Sequence, residues 1–129
     1  MRPMILIAAL LAASPAHAAM CPALLTKATP ATRAADAALI RKLAHQNVRA
    51  SGIGEVLSDG KWRVIWATPE NAENGVYFFR RGAKAWRYVD VWGGVVAPGE
   101  KPGVLSWARK LGAPPAIARC FADTAAAEE

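Results

Sequence analysis

The chain has 129 residues, with 16 Lys and Arg against 10 Asp and Glu, a formal net charge of +6 and 53% hydrophobic residues. That length holds one domain with a modest core. No run of like charge exceeds two residues, which excludes a polybasic tail, and the two histidines and two cysteines have neither the Cys-x-x-Cys nor the His-x-x-x-His spacing of a finger-type metal site.

The first residues read as a secretory signal. Arg2 is a positive n-region, Met4 to Ala13 are uncharged and mostly apolar, Ser14 and Pro15 break the helix, and Ala16-His17-Ala18 is a small-x-small cleavage pattern. Residues 1–18 are therefore expected to be removed, leaving a single domain over 19–129 in the periplasm or the extracellular medium. A membrane anchor needs roughly 20 apolar residues, about twice this run, so no stable span is expected after cleavage. Lipid attachment at Cys21 would need a Leu-like residue and a small residue where Ala18 and Met20 stand. Cys21 and Cys120, near the two ends of the mature chain, are expected to pair in an oxidising compartment.

Residues 29–47 are predicted to be a helix. Thr29 is a fitting N-cap, Pro30 a good first helical residue, and Ala35, Leu39, Ile40, Leu43 and Ala44 recur at helical spacing. Ser51 to Gly54 break it. The period then becomes two: Ile53–Leu57 and Lys61–Trp66 flank Asp59-Gly60, a strong hairpin signal. Trp62, Val64 and Trp66 share one face of the second strand, and Lys61 and Arg63 the other. After the polar loop Thr68–Gly75, with an Asn74-Gly75 turn, Val76–Arg80 and Ala85–Trp92 form a second hairpin around Gly82. Four strands in meander order predict an antiparallel sheet with one face on the core. Gly93–Gly103 is rich in Gly and Pro and is predicted irregular. Val104, Trp107, Ala108 and Leu111 make an amphipathic helix ended by Gly112, and a last turn carries Ile117, Cys120 and Phe121 before a frayed tail over 123–129. The fold class is α+β: an N-terminal helix packed on a four-stranded antiparallel meander, followed by a short helical C-terminal segment.

Catalytic signals are sparse. His45 is the only histidine of the mature chain, and no Gly-x-Ser-x-Gly elbow or His-x-x-x-His pair occurs. No metal site and no cofactor is expected. Strict alternation would project Trp86, Tyr88, Asp90 and Trp92 from one face of the last strand, with Tyr77 beside them on the next. An acid among aromatics is one way to build a proton donor or base of raised pKa, and makes Asp90, Tyr88 and Tyr77 the catalytic candidates. The candidate binding residues are Trp86, Arg87, Trp92, Arg80, Arg81 and Arg63, types enriched at recognition surfaces. The loops Thr68–Gly75 and Gly93–Gly103 are better placed than the strands to vary with a partner.

The runs Asp59-Gly60-Lys61-Trp62-Arg63-Val64, Phe78-Phe79-Arg80-Arg81-Gly82 and Trp86-Arg87-Tyr88-Val89-Asp90 resemble the hairpins of the cystatin-like α+β roll. That superfamily includes the ketosteroid-isomerase, SnoaL-like and nuclear-transport-factor groups. Gly112-Ala113-Pro114-Pro115-Ala116 is similar to segments of small secreted bacterial proteins. The resemblance covers roughly residues 30 to 120 and implies a sheet wrapped on a helix, not a chemistry. This chain departs from it in carrying helical sequence after the sheet.

The leading expectation is an exported, non-enzymatic protein that binds a protein or an anionic envelope partner, as an inhibitor or immunity factor would. Nucleic acid is the weakest of the partner classes for an exported chain. The alternatives are a roll-type enzyme or small-ligand binder using Asp90 and its aromatic neighbours, and a structural envelope component. Oligomeric state is not legible.

Overall fold

A computed structural model describes residues 21–97 and 99–127, so the expected signal segment, 1–18, lies outside the described residues. Helix α1 spans Pro30–Leu39. Its start follows the predicted cap: Thr32 N–H donates to Thr29 Oγ1 at 3.1 Å, and Thr29 N–H donates to Thr32 Oγ1 at 2.8 Å. This reciprocal pair satisfies two amide donors. The helix does not reach residue 47. It widens into a π turn, Ile40–Ala44, and stops where His45 takes φ 55. The Arg41 guanidinium then donates to the Val48 carbonyl at 2.7 Å, tucking Val48 into the core. A side chain in this left-handed conformation is strained by about 1–2 kcal/mol. His45→Gly is therefore expected to stabilise the fold by about 0.5–1 kcal/mol once the added freedom of the unfolded chain is deducted. A thermal melt a few degrees above the parent checks this.

The sheet is a meander of β1 (Ile53–Ser58), β2 (Trp62–Ala67), β3 (Gly75–Arg81) and β4 (Trp86–Gly93), in that spatial order. The Asp59-Gly60 turn forms as expected. Asp59 Oδ1 accepts from Lys61 N–H at 2.8 Å and Trp62 N–H at 2.6 Å, while Gly60 takes φ 90. Asn74-Gly75 is not a turn: Gly75 opens β3, where a Cβ would stand 2.9 Å from Val91 Cγ2.

Both faces of the sheet are covered, not one. Ile53, Val56, Ile65, Ala67, Tyr77 and Phe79 pack with Ala37 of α1, Ile40 of the π turn, and Val48. Leu57, Trp62, Val64, Trp66, Val76 and Phe78 pack against two C-terminal helices. The reason lies in the inner strands. Val64-Ile65-Trp66-Ala67 and Val76-Tyr77-Phe78-Phe79 are unbroken apolar runs, as strands buried on both faces require. On α1 the buried residues are Asp36 and Ala37, continued by Ile40 of the π turn, while Ala35 of the predicted stripe is exposed.

The C-terminal segment is longer than expected. Helix α2 runs Lys101–Lys110 and α3 runs Pro115–Ala127. Pro102 and Gly103 fall in the first turn of α2, where a missing amide donor costs nothing, so the irregular loop ends before them. Gly112 ends α2 with φ 96. Asp123 is not frayed: it pairs with Lys101, and Ala125 is buried. Phe121 meets Phe78 edge-on at 4.8 Å between ring centroids. Cys21 and Cys120 are disulfide-bonded, with Cα atoms 5.4 Å apart. The bridge holds 21–24 on α3, and from there Thr26 N–H reaches the Val56 carbonyl at 2.8 Å on the β1 edge. Among the described residues, no helix is long and apolar enough to cross a membrane.

Candidate functional site

The row of aromatics around Asp90 does not share one face. Phe78 pairs with Asp90 but Phe79 pairs with Tyr88, so Val89 is an extra residue in β4 and the pleat slips by one. Tyr88 lies with Tyr77 and Phe79 on the α1 side, 6.5 and 5.7 Å away, and Trp86 packs on that same cluster. Trp92 packs on the opposite side, 5.1 Å from Trp107. Asp90 Oδ1 accepts from the Val91 amide at 2.8 Å, and Asp90 lines neither cleft described below. Burial pushes the Tyr77 hydroxyl up from its ordinary pKa. Burial, then the Asp90 charge and then Tyr77 do the same to Tyr88. Both phenols are thus neutral donors near neutral pH.

Of the six candidate binding residues, the fold gathers four. Arg80 stands opposite Arg87, and Arg81 opposite Trp86, whose ring centroid lies 5.4 Å beneath the Arg81 guanidinium. Arg81 N–H donates to the Lys61 carbonyl at 2.7 Å, so the β1–β2 and β3–β4 turns sit side by side and add Lys61 and Lys84. Among the described residues none of these five cations is in an ion pair. Arg63 is spent inside, its guanidinium donating twice to the Asp36 carboxylate at 2.7 and 2.9 Å. Trp92 belongs to the other end of the sheet.

That other end holds an open cleft of about 760 Å³, walled by residues 51–55, 66–70 and 74–76 with Trp92 and Gly94. A second hollow of about 570 Å³ shares Asn74, Val76, Trp92 and Gly94 with it and reaches Glu73, Val96 and Ala125. The indole nitrogens of Trp66 and Trp92 are both buried, with no hydrogen-bond partner among the described residues. Glu55, Glu70 and Glu73 stand on the walls, and among the described residues no Lys or Arg does. Glu70 is held by Arg49. Both loops singled out from the sequence contribute, through Thr68, Pro69 and Asn74 on one side and Gly94 to Val96 on the other. Sequence reasoning put Trp66 on one face of the second strand with Trp62 and Val64 and missed its unpaired donor; an indole on a central strand beside Gly52 and Gly54 was the available signal. Among the described residues no group of three or more His, Cys, Asp or Glu is placed to hold a metal ion.

No protein-family model matches the chain, and no curated protein and no solved structure matches it.

Proposed function

We propose that this chain is an exported, non-enzymatic binding protein that holds an anionic partner on its cationic hairpin end. The observation that carries the reading is Arg80 facing Arg87 across β3 and β4, with neither in an ion pair among the described residues. Like charges directly opposite each other destabilise a sheet by about 0.2–1 kcal/mol. An anion bound there reverses the sign of that interaction. Arg81, stacked on Trp86, holds a third guanidinium on the other face of the same hairpin end, and Lys61 and Lys84 extend the field. The disulfide supports the export part of the reading, since such bonds persist in oxidising compartments.

The test is retention on dextran sulfate at low salt. Arg80→Gln with Arg87→Gln is expected to weaken binding about ten-fold and to flatten its salt dependence. The same double variant should melt slightly higher than the parent, because the repulsion is gone. Lys27→Gln with Arg119→Gln removes the same charge from exposed sites elsewhere and should bind like the parent. Equal losses from both pairs would reduce the effect to net charge and sink the reading. Asp90→Asn separates the roll-type enzyme alternative, for a binder loses nothing at this surface when that carboxylate goes.

A further inference from the structure

We propose that the cleft at the opposite end of the sheet is a binding site for a short neutral saccharide. Its chemistry differs from that of the hairpin end, so it stands independently of the anionic partner. The first observation is the pair of indole N–H groups of Trp66 and Trp92, buried with no acceptor among the described residues. A buried donor left unpaired costs about 1–3 kcal/mol, and both of these belong to residues that line one cleft. A ligand that relieves this cost must bring acceptors to the two indoles.

The second observation is the wall. Glu55, Glu73 and the Asn74 side-chain oxygen, which already accepts from Thr68 Oγ1 at 2.8 Å, offer acceptors to whatever binds. The ligand must therefore carry donors as well. Among the described residues no Lys or Arg lines either hollow, which argues against phosphate, sulfate or carboxylate ligands. A hydrocarbon has neither donors nor acceptors, and a simple organic cation has no acceptor for the indoles. Neutral hydroxyl-rich rings have both, with C–H faces to lay on Trp92.

The third observation is shape. Gly52, Gly54, Gly75 and Gly94 bare the backbone along the wall. Gly52 has no room for a side chain, since a Cβ there would stand 2.6 Å from the Thr68 carbonyl oxygen. A cavity of about 760 Å³ is within the range of small-molecule sites, and the joined hollow of about 570 Å³ gives the ligand length.

The experiment follows the indole N–H signals of the intact mature protein by two-dimensional NMR during titration with maltotriose, cellotriose and chitotriose. Trp66→Phe and Trp92→Phe assign two of the five signals. Saturable downfield movement of those two, with the other three steady, is the expected result for at least one trisaccharide. Gly54→Val, which places a side chain 3.4 Å from Trp66 at the cleft wall, should abolish the movement while leaving retention on dextran sulfate intact. Still signals with all three sugars at tens of millimolar overturn the proposal. Equal movement with tetramethylammonium, or with inorganic sulfate, overturns it too, by assigning the cleft to an ion. Trp66→Phe should melt no lower than the volume change requires, because it removes an unpaired donor.

Discussion

Replacing Cys120 with Ala is expected to lower the melting temperature by more than about 10 °C. The bridge to Cys21 closes 99 residues of sequence, which the chain-entropy account values at about 4–5 kcal/mol. Residual structure in the unfolded chain takes part of that away, leaving about 3 kcal/mol. For a domain of this size each kcal/mol shifts the midpoint by about 4–8 °C. Packing adds to the loss at one end only. Cys120 is 1% exposed among Phe121, Phe78 and Ile117, whereas Cys21 is only half-buried. Cys21→Ala should therefore show the cross-link loss nearly alone, and Cys120→Ser should be the worst of the three because it buries a hydroxyl. Thermal melts of the three variants, beside the parent with and without reductant, order these effects. A Cys21→Ala variant melting within a degree or two of the unreduced parent would show that the bridge constrains little.

That pairing was legible because only two cysteines exist and they stand near the ends of the mature chain. Strand order was legible for a similar reason: Asp59-Gly60 and Gly82 are local turn signals that leave a meander as the simplest topology. What escaped the sequence were the non-local consequences. Thr29 and Pro30 mark where α1 begins, but its end depends on Val48 being drawn inward by Arg41, a contact no window of periodicity contains. The apolar runs of β2 and β3 state that both faces are buried, yet they do not say which helices do the covering. The grouping around Asp90 failed on one residue, since alternation assumes an unbroken pleat and the bulge at Val89 is written in the register with β3. The cleft was half-legible. Its two loops stood out by composition, while the unpaired indole donors depend on what every neighbouring side chain does with its own polar atoms.

Arg63→Ala is expected to cost about 3–5 kcal/mol, the other large effect in the molecule. On sequence alone Arg63 belongs to a recognition surface with Arg80 and Arg81. In the fold it crosses from β2 to α1, and its Nε and one terminal nitrogen both donate to Asp36. The two partners are not equally buried: the Asp36 side chain is 5% exposed and that of Arg63 is 17%. Removing Arg63 leaves a carboxylate under the helix with no donor and almost no water. Removing Asp36 leaves a guanidinium on a long stem that can swing to the surface. Asp36→Ala should thus cost distinctly less than Arg63→Ala, although both delete the same pair. Replacing both together, Asp36→Leu with Arg63→Met, should recover most of the loss, because apolar groups of similar size pack without the desolvation that a buried ion pair carries. Urea unfolding of the two single variants and the double gives the ordering, with unchanged slopes showing that the same surface is exposed in each. If the two single variants prove equally costly, water reaches Asp36 and the pair behaves as a surface bridge. If the order holds, Arg63 is a fold residue, and the anionic partner should be bound by Arg63→Met/Asp36→Leu as well as by the parent.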